Sequence, residues 1–270
     1  AQAEVVSHPH KEWLDGRRVT LKPVKVSVVI PTLNEAANLP HVLPHIPQWV
    51  HEVIIVVGRS TDGTPDVARK LLPNVRIVEE TKRGKGAALL AGFNASTGDI
   101  IVMLDADGSM DPQEMSTYVA ALCNGADFVK GSRYLQGGGS ADLTFVRDLG
   151  NWGLTLSVKI LFGCRYSDLC YGYAGFWRHV LPVLDLKSDG FEIETEMNVR
   201  ALFTKLRIVE VSSFESHRIH GDSHLRPVQD GIRVLRTILR ERWRSWMQPA
   251  ASSATATLPE PQSSQITELS

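Results

Sequence analysis

The sequence predicts an α/β protein whose central sheet is mostly parallel and is covered by helices on both faces. Short apolar runs alternate with helical segments, most regularly between residues 23 and 130. The runs are almost continuously apolar, which is typical of strands buried on both faces. Ligands of such sheets bind beyond the carboxyl ends of the strands, and the unusual loops of this chain lie at those ends.

The first half of the chain has a regular order of elements. Strands are predicted where β-branched and other apolar residues run together, at 24–30, 52–57, 75–78, 100–104 and 126–130. Helices are predicted between these runs, at 36–46, 64–72, 86–96 and 112–123. Pro40 and Pro44 weaken the first of these helices, because proline lacks the backbone donor that a helix interior needs.

The second half is less regular. Residues 131–148 contain three consecutive glycines and are predicted to form a mobile loop. Helices are predicted at 149–162, 192–203 and 227–247, and strands at 172–177, 207–211 and around Phe214. Residues 1–22 are polar and aperiodic, and residues 249–270 are rich in Ser, Thr, Ala, Gln and Pro. We therefore predict an N-terminal arm, one domain at 23–248 and a disordered tail.

The composition is that of an ordinary globular protein, and it argues against several functions. Hydrophobic residues make up 43% of the 270 residues, and the formal net charge is -1, so no overall field attracts nucleic acid. Three cysteines without a CxxC pair favour a reducing compartment over a disulfide scaffold. No apolar stretch has transmembrane length, and residues 1–16 lack the apolar segment of a signal peptide. A cytoplasmic location is expected.

Asp105, Ala106 and Asp107 are the most informative residues of the chain. They follow the predicted strand at 100–104, and residues two apart in an extended segment point to the same side. Two carboxylates at one point suit Mg²⁺ or Mn²⁺ held together with the phosphates of a substrate. Taken alone, the same residues are equally compatible with an acidic turn before a helix.

Three further loops follow or border predicted strands. The segment PTLNE at 31–35 begins with a proline that is expected to end its strand, and it leaves two polar side chains at a helix entrance. The segment GRSTDGT at 58–64 is a tight turn into a helix. The segment KRGKG at 82–86 combines glycines with basic residues before a helix, where the N-terminus favours anions. Each segment alone is also compatible with a simple turn or helix cap.

The order of PTLNE, STDGT, GKG and DAD along one sheet edge resembles the family 2 glycosyltransferases, which have the GT-A fold with a Rossmann-like central sheet. Later segments are most similar to the dolichol-phosphate mannosyltransferase and polyprenyl-phosphate glycosyltransferase branch. These segments are ADFVKGSRY at 126–134, DLCYGY at 168–173, GFEIETE at 190–196 and RIHGDS at 218–223. The resemblance covers residues from about 25 to about 242.

The resemblance implies a metal-dependent enzyme of the cell envelope that moves a sugar from a GDP- or UDP-sugar to a polyprenyl phosphate. Asp105 and Asp107 would hold Mg²⁺ or Mn²⁺ and would form the catalytic set with Arg133. Arg133, Arg218 and His224 would hold the diphosphate or the acceptor phosphate, a task that suits the guanidinium fork. The nucleotide would contact Pro31, Thr32, Leu33, Asn34, Glu35, Arg59, Lys85, Asp105 and Ala106.

The chain departs from the family pattern in two places. Val57 and Gly58 stand where the family usually has an Asp-Asp pair, one member of which helps to recognise the base. A weak or relaxed base preference is therefore expected, because a valine cannot accept a hydrogen bond. His224 stands where the family usually has a lysine. Because Val57 and Gly58 replace the acidic pair, the sequence is also compatible with a family member that binds nucleotide but catalyses transfer weakly.

The sequence is compatible with two classes of acceptor. A polyprenyl phosphate oxygen is already anionic, whereas a soluble hydroxyl acceptor requires a general base. The candidate bases are Asp168, Glu192, Glu194 and Glu196. The helix at 227–247 carries five arginines beside apolar residues. This pattern is equally compatible with packing on the domain and with peripheral contact to an anionic membrane.

Overall fold

A computed structural model describes residues 11–14, 17–20, 23–222 and 226–247. The predicted disordered tail at 249–270 and His224 lie outside these residues. Within the predicted N-terminal arm, strands β1 (Lys11–Leu14) and β2 (Arg17–Thr20) form an antiparallel pair, with Lys11 opposite Thr20. This part of the arm is therefore more ordered than its aperiodic sequence predicts.

The remaining elements follow the alternation that the sequence predicts. The strands are β3 (Val26–Thr32), β4 (Glu52–Val57), β5 (Arg76–Glu79), β6 (Ile100–Met103), β7 (Phe128–Ser132), β8 (Gly139–Ser140), β9 (Ala174–Trp177), β10 (Ile208–Ser212) and β11 (Phe214–Glu215). The α-helices are α1 (Leu39–Val42), α2 (Thr64–Leu71), α3 (Lys85–Ala95), α4 (Met115–Cys123), α5 (Phe145–Phe162), α6 (Leu181–Leu184), α7 (Ile193–Phe203) and α8 (Pro227–Met247). Short 3₁₀ turns occupy Leu43–His45, Pro112–Glu114 and Arg178–Val180.

Seven strands form the central sheet in the order β10-β7-β9-β6-β3-β4-β5. Strand β9 runs antiparallel to both of its neighbours, and the other pairings are parallel. The mostly parallel sheet predicted from the sequence is confirmed. The carboxyl ends of β3, β4 and β6 consequently meet at one edge of the sheet, beside the loops that carry the sequence motifs.

Helices cover both faces of the sheet, as predicted. On one face α1, α2 and α4 bury Leu39, Ala68 and Tyr118 against alternate strand residues. On the other face α3 and α7 pack against the sheet, and α3 buries Leu89 and Phe93. Each such Leu or Phe side chain contributes about 1.5–3 kcal/mol through its removal from water. The two layers hold the strands, and therefore the loops at their ends, in a fixed arrangement.

Strand β3 continues through Pro31 to Thr32, two residues beyond the predicted end. Pro31 lies opposite Val56 of β4. In a parallel strand, successive residues form hydrogen bonds to opposite neighbours. Pro31 faces the β6 side, where the ladder ends at the pair of Val29 and Met103. The missing N–H of the proline therefore removes no hydrogen bond of the sheet.

The predicted mobile loop at 131–148 is largely ordered. Gly139 and Ser140 form β8, which pairs in parallel with β11. A Cβ atom on Gly138 would lie 2.7 Å from the carbonyl oxygen of Ser132, and one on Gly139 would lie 2.9 Å from the ring of Phe214. These glycines therefore allow close packing rather than mobility. Helix α5 also begins four residues earlier than predicted.

Helices α5, α7 and α8 pack together at one end of the domain. Val158, Val199 and Ile238 bury their side chains in a small apolar cluster between them. Arg200 of α7 forms a buried ion pair with Glu241 of α8, with 3.0 Å between Nε and Oε2. Among the described residues, no helix combines the length and apolarity that crossing a bilayer requires.

Candidate active site

The loops that follow β3 and β4 are tied together by side chains of the PTLNE and STDGT segments. Asn34 has a left-handed backbone (φ 58°), and its Oδ1 accepts a hydrogen bond from the backbone N–H of Thr61 at 2.8 Å. The backbone N–H of Ala36 donates to Asp62 Oδ2 at 2.8 Å. The backbone N–H of Glu35 donates to Thr64 Oγ1 at 3.0 Å. The side chains of Asn34, Asp62 and Thr64 therefore shape the two loops.

A cavity of about 540 Å³ opens between these loops and the DAD segment. Among the predicted nucleotide-contacting residues, eight line it: Pro31, Thr32, Leu33, Glu35, Arg59, Lys85, Asp105 and Ala106. Asn34 is absent from the lining, because its side chain is turned toward Thr61. The remaining wall is formed by Gly58, Lys82, Arg83, Gly84, Ala88, Asp107, Phe191 and Arg218. We call this space the first cavity.

Lys85 is held between two carboxylates at the base of the first cavity. Its Nζ lies 2.6 Å from Asp105 Oδ1 and 2.7 Å from Glu194 Oε1. Burial alone would lower the pKa of Lys85, but the two carboxylates outweigh burial and raise this pKa well above its ordinary value. Burial raises the pKa of the Glu194 carboxyl. Lys85 is thus a fixed cation beside Asp105.

Arg218 forms an ion pair with Asp107, as Lys85 does with Asp105. The Nη2 atom of Arg218 lies 2.9 Å from Asp107 Oδ2, and its Nη1 lies 3.1 Å from Glu35 Oε1. The backbone N–H and hydroxyl of Ser109 donate to Asp107 Oδ1 at 3.0 and 2.6 Å. The backbone N–H of Ile219 donates to the Asp107 carbonyl at 3.1 Å. The RIHGDS segment is thereby fastened across the DAD turn.

The chemistry of these residues fits a metal that is shared with a ligand. No group of three or more His, Cys, Asp or Glu side chains within the described residues is arranged to hold a metal. Asp105 and Asp107 provide carboxylate oxygens, and their side chains are 26% and 13% exposed. Mg²⁺ is commonly bound by one or two carboxylates together with substrate phosphates. The pair is suited to that arrangement and not to a site built from protein ligands alone.

The glycines of the KRGKG segment serve packing within the protein. A Cβ atom on Gly84 would lie 2.0 Å from the carbonyl oxygen of Asp189, and one on Gly86 would lie 2.3 Å from that of Ser188. The backbone N–H of Ala87, in the first turn of α3, donates to the Asp189 carbonyl at 3.0 Å. The expectation that these glycines admit an anion is therefore corrected, because residues 188–190 occupy that space.

A second cavity of about 900 Å³ adjoins the first. Five residues line both cavities: Lys85, Asp105, Asp107, Phe191 and Arg218. From there the second cavity runs past Arg133 and Arg147 to the space between α5 and α8. Its far wall is mostly apolar and includes Val146, Leu149, Leu154, Val228, Ile232 and Leu235. The DAD carboxylates thus lie at the junction of the two cavities, the second of which has an apolar end.

Arg133 lines the second cavity, but its guanidinium is already paired. Its Nε lies 2.7 Å from Asp168 Oδ2, and its Nη1 lies 2.9 Å from Glu215 Oε2. The Arg133 side chain is 4% exposed, and that of Asp168 is completely buried. Burial would raise the pKa of Asp168, but hydrogen bonds and charge from Arg133 outweigh it and hold this pKa below its ordinary value. Asp168 is therefore an ionised partner of Arg133 rather than a base.

Among the four candidate bases, Glu194 alone lines either cavity. Glu196 is buried, and its Oε2 accepts hydrogen bonds from the backbone N–H groups of Lys187 and Ser188 at 3.0 and 2.8 Å. Its Oε1 lies 2.6 Å from Arg200. Glu196 therefore stabilises the turn before α7.

Val57 lies in the core and not in the wall of the first cavity. It is 4% exposed and packs with the apolar cluster beneath α1 and α2. The loop residues that face the cavity are Gly58 and Arg59. The expected effect of Val57 on base recognition is therefore revised, because this side chain does not reach the nucleotide-sized space.

An exposed apolar surface adjoins the mouth of the second cavity. On α8 the exposed residues recur every three or four positions, as Val228, Ile232, Leu235, Leu239, Trp243 and Trp246. On α5 the same spacing exposes Phe145, Leu149, Trp152, Leu156 and Ile160. The buried stripe of α8 is a different one, with Val234 and Ile238. We call the two outer stripes the α5–α8 surface.

Comparisons with known proteins identify the family of this chain. Residues 27–183 match the family model described as glycosyl transferase family 2. The undecaprenyl-phosphate mannosyltransferase of Micrococcus luteus is 32% identical over 82% of this chain and 96% of its own length. The polyprenol monophosphomannose synthase of Mycolicibacterium smegmatis is 34% identical over 76% of this chain and 83% of its length. The dolichol-phosphate mannosyltransferase of Pyrococcus furiosus is 30% identical over 75% of this chain, which spans 60% of that protein. The chain therefore belongs to glycosyl transferase family 2 and is a glycosyltransferase.

Solved structures give the same fold. Glucosyl-3-phosphoglycerate synthase from Mycobacterium tuberculosis in complex with phosphoglyceric acid has a TM-score of 0.66 and 25% identity. The match covers 82% of this chain and 80% of that chain. The same enzyme with Mn²⁺, uridine diphosphate and glucosyl-3-phosphoglycerate has a TM-score of 0.64 and 24% identity, with the same coverage. The GT-A fold predicted from the sequence is confirmed.

The pairing of Arg133 predicts a large effect on stability. Arg133→Ala would leave Asp168 buried without its main partner, so we expect the free energy of unfolding to fall by about 3–5 kcal/mol. Arg147→Ala removes a partly exposed pair with Asp142 and is expected to cost less than about 1 kcal/mol. Urea unfolding followed by circular dichroism measures both changes. Equal and small effects of the two substitutions would contradict the structural role of Arg133.

Proposed function

We propose that this chain transfers a glycosyl group from a nucleotide-sugar to a polyprenyl phosphate. One observation carries the proposal, namely the meeting of two cavities at Lys85, Asp105, Asp107, Phe191 and Arg218. A transferase needs a donor and an acceptor side by side at the reacting carbon. The first cavity places charged side chains beside Pro31 and Leu33, which suits a nucleotide diphosphate, and the second combines charged groups with an apolar end.

The donor half of the proposal rests on the residues around the DAD segment. The nucleoside would lie against Pro31, Thr32 and Leu33, with its diphosphate toward Asp105 and Asp107. Those two carboxylates would hold Mg²⁺ or Mn²⁺, which when bound neutralises the charge of a diphosphate leaving group. Lys85 and Arg218 already lie within 3 Å of the same carboxylates and would donate to phosphate oxygens once a ligand binds. The sugar would then be transferred to an acceptor bound in the second cavity.

The acceptor half rests on Arg147 and on the apolar wall of the second cavity. The pair between Arg147 and Asp142 is partly exposed, so an incoming phosphate can replace the carboxylate at little cost. Arg133 would support the same phosphate from the cavity wall, although two carboxylates already engage it. A polyprenyl chain would follow the apolar residues between α5 and α8. The relatives named above act, by their names, on dolichol, undecaprenyl and polyprenol phosphates.

A soluble hydroxyl acceptor is the second candidate, and Glu194 is the observation that favours it. This carboxyl lines the second cavity, and burial raises its pKa, as in many general bases. Its ion pair with Lys85, however, stabilises the charged form and lowers its basicity. A phosphate acceptor needs no base, so the polyprenyl phosphate remains our primary proposal.

We further propose that the α5–α8 surface rests on an anionic membrane, where the acceptor would be found, while the rest of the chain lies in the cytoplasm. Two adjacent apolar stripes that include exposed tryptophans suit the interfacial region of a bilayer. Arg236 and Arg242 have no carboxylate partner among the described residues, whereas Arg233, Arg240 and Arg244 are paired. The unpaired arginines would contribute modest attraction to anionic headgroups.

The donor half predicts a strict need for a divalent cation. With radiolabelled GDP- and UDP-sugars and undecaprenyl phosphate in detergent, lipid-linked product should form with Mg²⁺ or Mn²⁺ and stop in excess EDTA. Asp107→Ala should reduce turnover by roughly 100-fold or more, because the leaving-group charge loses its counterion. Asp66→Asn, which alters an exposed carboxylate of α2, is the matched control.

Each result of that assay separates the candidates. Full turnover in EDTA would contradict the metal requirement. Transfer to a polyprenol or another hydroxyl, but not to the phosphate, would favour the second candidate. Nucleotide binding without transfer to any acceptor would indicate a family member with weak catalysis.

The membrane proposal predicts vesicle binding through the exposed tryptophans. The chain should sediment with vesicles that contain phosphatidylglycerol. Replacing both Trp243 and Trp246 by serine should lower the partition coefficient about 10-fold or more, because less apolar area is buried. Val183→Ser, which changes an exposed apolar residue of α6, serves as the control. Vesicle binding that is unchanged in the double variant would contradict the membrane proposal. A chain that forms dimers and does not bind vesicles would also contradict it.

A further inference from the structure

We infer that Phe191 keeps water away from the donor sugar, so that the sugar is transferred to the acceptor and is not hydrolysed. The inference rests on the proposed function, because it assigns the first cavity to a nucleotide-sugar and the second cavity to an acceptor. Five described residues line both cavities, and four of them are charged. Phe191 is the fifth, and it is the only apolar side chain among them.

The ring of Phe191 is not part of the protein core. It is partly exposed, and it belongs to none of the three apolar clusters that the described residues form. By contrast, Phe93, Phe128 and Phe176 are buried within one of these clusters. The ring therefore presents its apolar surface to the two cavities, where it can cover a bound group.

The backbone on both sides of Phe191 is packed and fixes the position of the ring. Before Phe191, the carbonyl oxygen of Asp189 accepts a hydrogen bond from the backbone N–H of Ala87 in α3 at 3.0 Å. After it, α7 begins at Ile193, whose backbone N–H donates to the Gly190 carbonyl at 3.3 Å. Because both flanks are held, the side chain stays at the junction of the cavities and acts as a partition between them.

The second cavity would bring water to the donor sugar if nothing separated the two. Its volume is about 900 Å³, and its walls carry the carboxyl groups of Asp142, Glu194 and Glu215. Charged groups that line a roomy cavity retain water. The Glu194 carboxylate belongs to the junction itself, since it lies 2.7 Å from Lys85. Before an acceptor binds, water is therefore the competing nucleophile on this side of the donor.

Hydrolysis and transfer differ only in the oxygen that attacks the sugar. In hydrolysis, the oxygen of a water molecule bonds to the anomeric carbon and the bond from that carbon to the diphosphate oxygen breaks. The nucleoside diphosphate leaves, and one proton of the water passes to solvent. In transfer, an oxygen of the acceptor phosphate forms the new bond and the same nucleoside diphosphate leaves, with no proton to remove.

An apolar partition hinders water more than it hinders a lipid phosphate. A water molecule beside the ring gives up hydrogen bonds that the ring does not replace. An acceptor phosphate is held in place by contacts along the rest of the second cavity, so its binding energy brings one oxygen to the anomeric carbon. Exclusion of water from a reacting centre is a means by which enzymes prevent side reactions. Phe191 would thereby determine which nucleophile the enzyme uses.

The partition of a labelled sugar between two products tests this inference. GDP-mannose and UDP-glucose, radiolabelled in the sugar, would be incubated with the chain and Mg²⁺, with and without undecaprenyl phosphate in detergent. Free sugar and lipid-linked sugar are then separated and counted. Without acceptor, Phe191→Ala should release free sugar about 10-fold faster than the unmodified chain, because water reaches the anomeric carbon. Phe191→Leu keeps apolar bulk at the junction and should stay within about 3-fold of the unmodified rate.

Two features of the design separate this effect from a loss of stability. With acceptor present, the ratio of free to lipid-linked sugar is independent of the folded fraction, and Phe191→Ala should raise this ratio about 10-fold. Phe203→Ala is the matched control. Phe203 is a partly exposed aromatic residue of α7 that packs against Phe162, with 5.1 Å between ring centroids, and it lines neither cavity. Its removal should leave the ratio unchanged.

The possible results distinguish this inference from the proposed function. Release of free sugar that is unchanged in Phe191→Ala would overturn the inference. Equal losses of free and lipid-linked sugar would also overturn it, because the ring would then only bind the donor. A rise that Phe203→Ala shares would overturn it as well, since loosening of α7 would be the cause. Faster hydrolysis by Phe191→Ala alone, without transfer to undecaprenyl phosphate by any form of the chain, would contradict only the proposed function.

Discussion

The candidate site depends on charge compensation around the two DAD carboxylates. Asp105 is paired with Lys85 from the start of α3, and Asp107 with Arg218 from the segment after β11. Glu194 and Glu35 complete the two clusters from α7 and from the loop after β3. Five separate parts of the chain are thereby drawn to one edge of the sheet. Without the two basic side chains, neighbouring carboxylates would repel one another in a partly buried place.

A second charged network supports the other side of the junction. Lys130 is completely buried and lies 3.6 Å from Glu210, while Glu210 accepts from the backbone N–H of Ser167 at 2.8 Å. This contact fixes the turn that carries Asp168, which in turn holds Arg133. Removing one member of such a network leaves an unpaired buried charge, which is costly. The wall of the second cavity is therefore stiff where it meets the DAD segment.

Local patterns predicted much of this architecture. The alternation of elements, the mostly parallel sheet and the position of DAD after a buried strand follow from periodicity within short windows. Eight predicted nucleotide contacts line one cavity because the carboxyl ends of neighbouring parallel strands meet. Asn34 is the predicted contact that does not line this cavity, because its side chain bonds to Thr61 of the next loop.

The contacts that the sequence did not predict join residues that lie far apart in the chain. Nothing near Lys85 indicates that Glu194 lies beside it, and nothing near Gly84 indicates contact with Asp189. The buried pairing of Arg133 likewise joins distant segments. Val57 and Gly58 differ by one position, and the alternation of a strand decides which of them meets the cavity. The pattern of side chains along the sequence can predict which segments meet at the sheet edge. Which charged residues pair with each other depends on the packed structure.

The central claim is that the DAD carboxylates form a metal site only together with a bound diphosphate. Electron paramagnetic resonance of Mn²⁺ measures this most directly, because free and bound Mn²⁺ give separate signals. Titrated alone, the chain should bind Mn²⁺ weakly, since Lys85 and Arg218 already neutralise both carboxylates. With a saturating nucleoside diphosphate, one Mn²⁺ per chain should bind at least about 10-fold more tightly than to the diphosphate alone. Tight Mn²⁺ binding without nucleotide, or no gain over the diphosphate alone, would contradict the account.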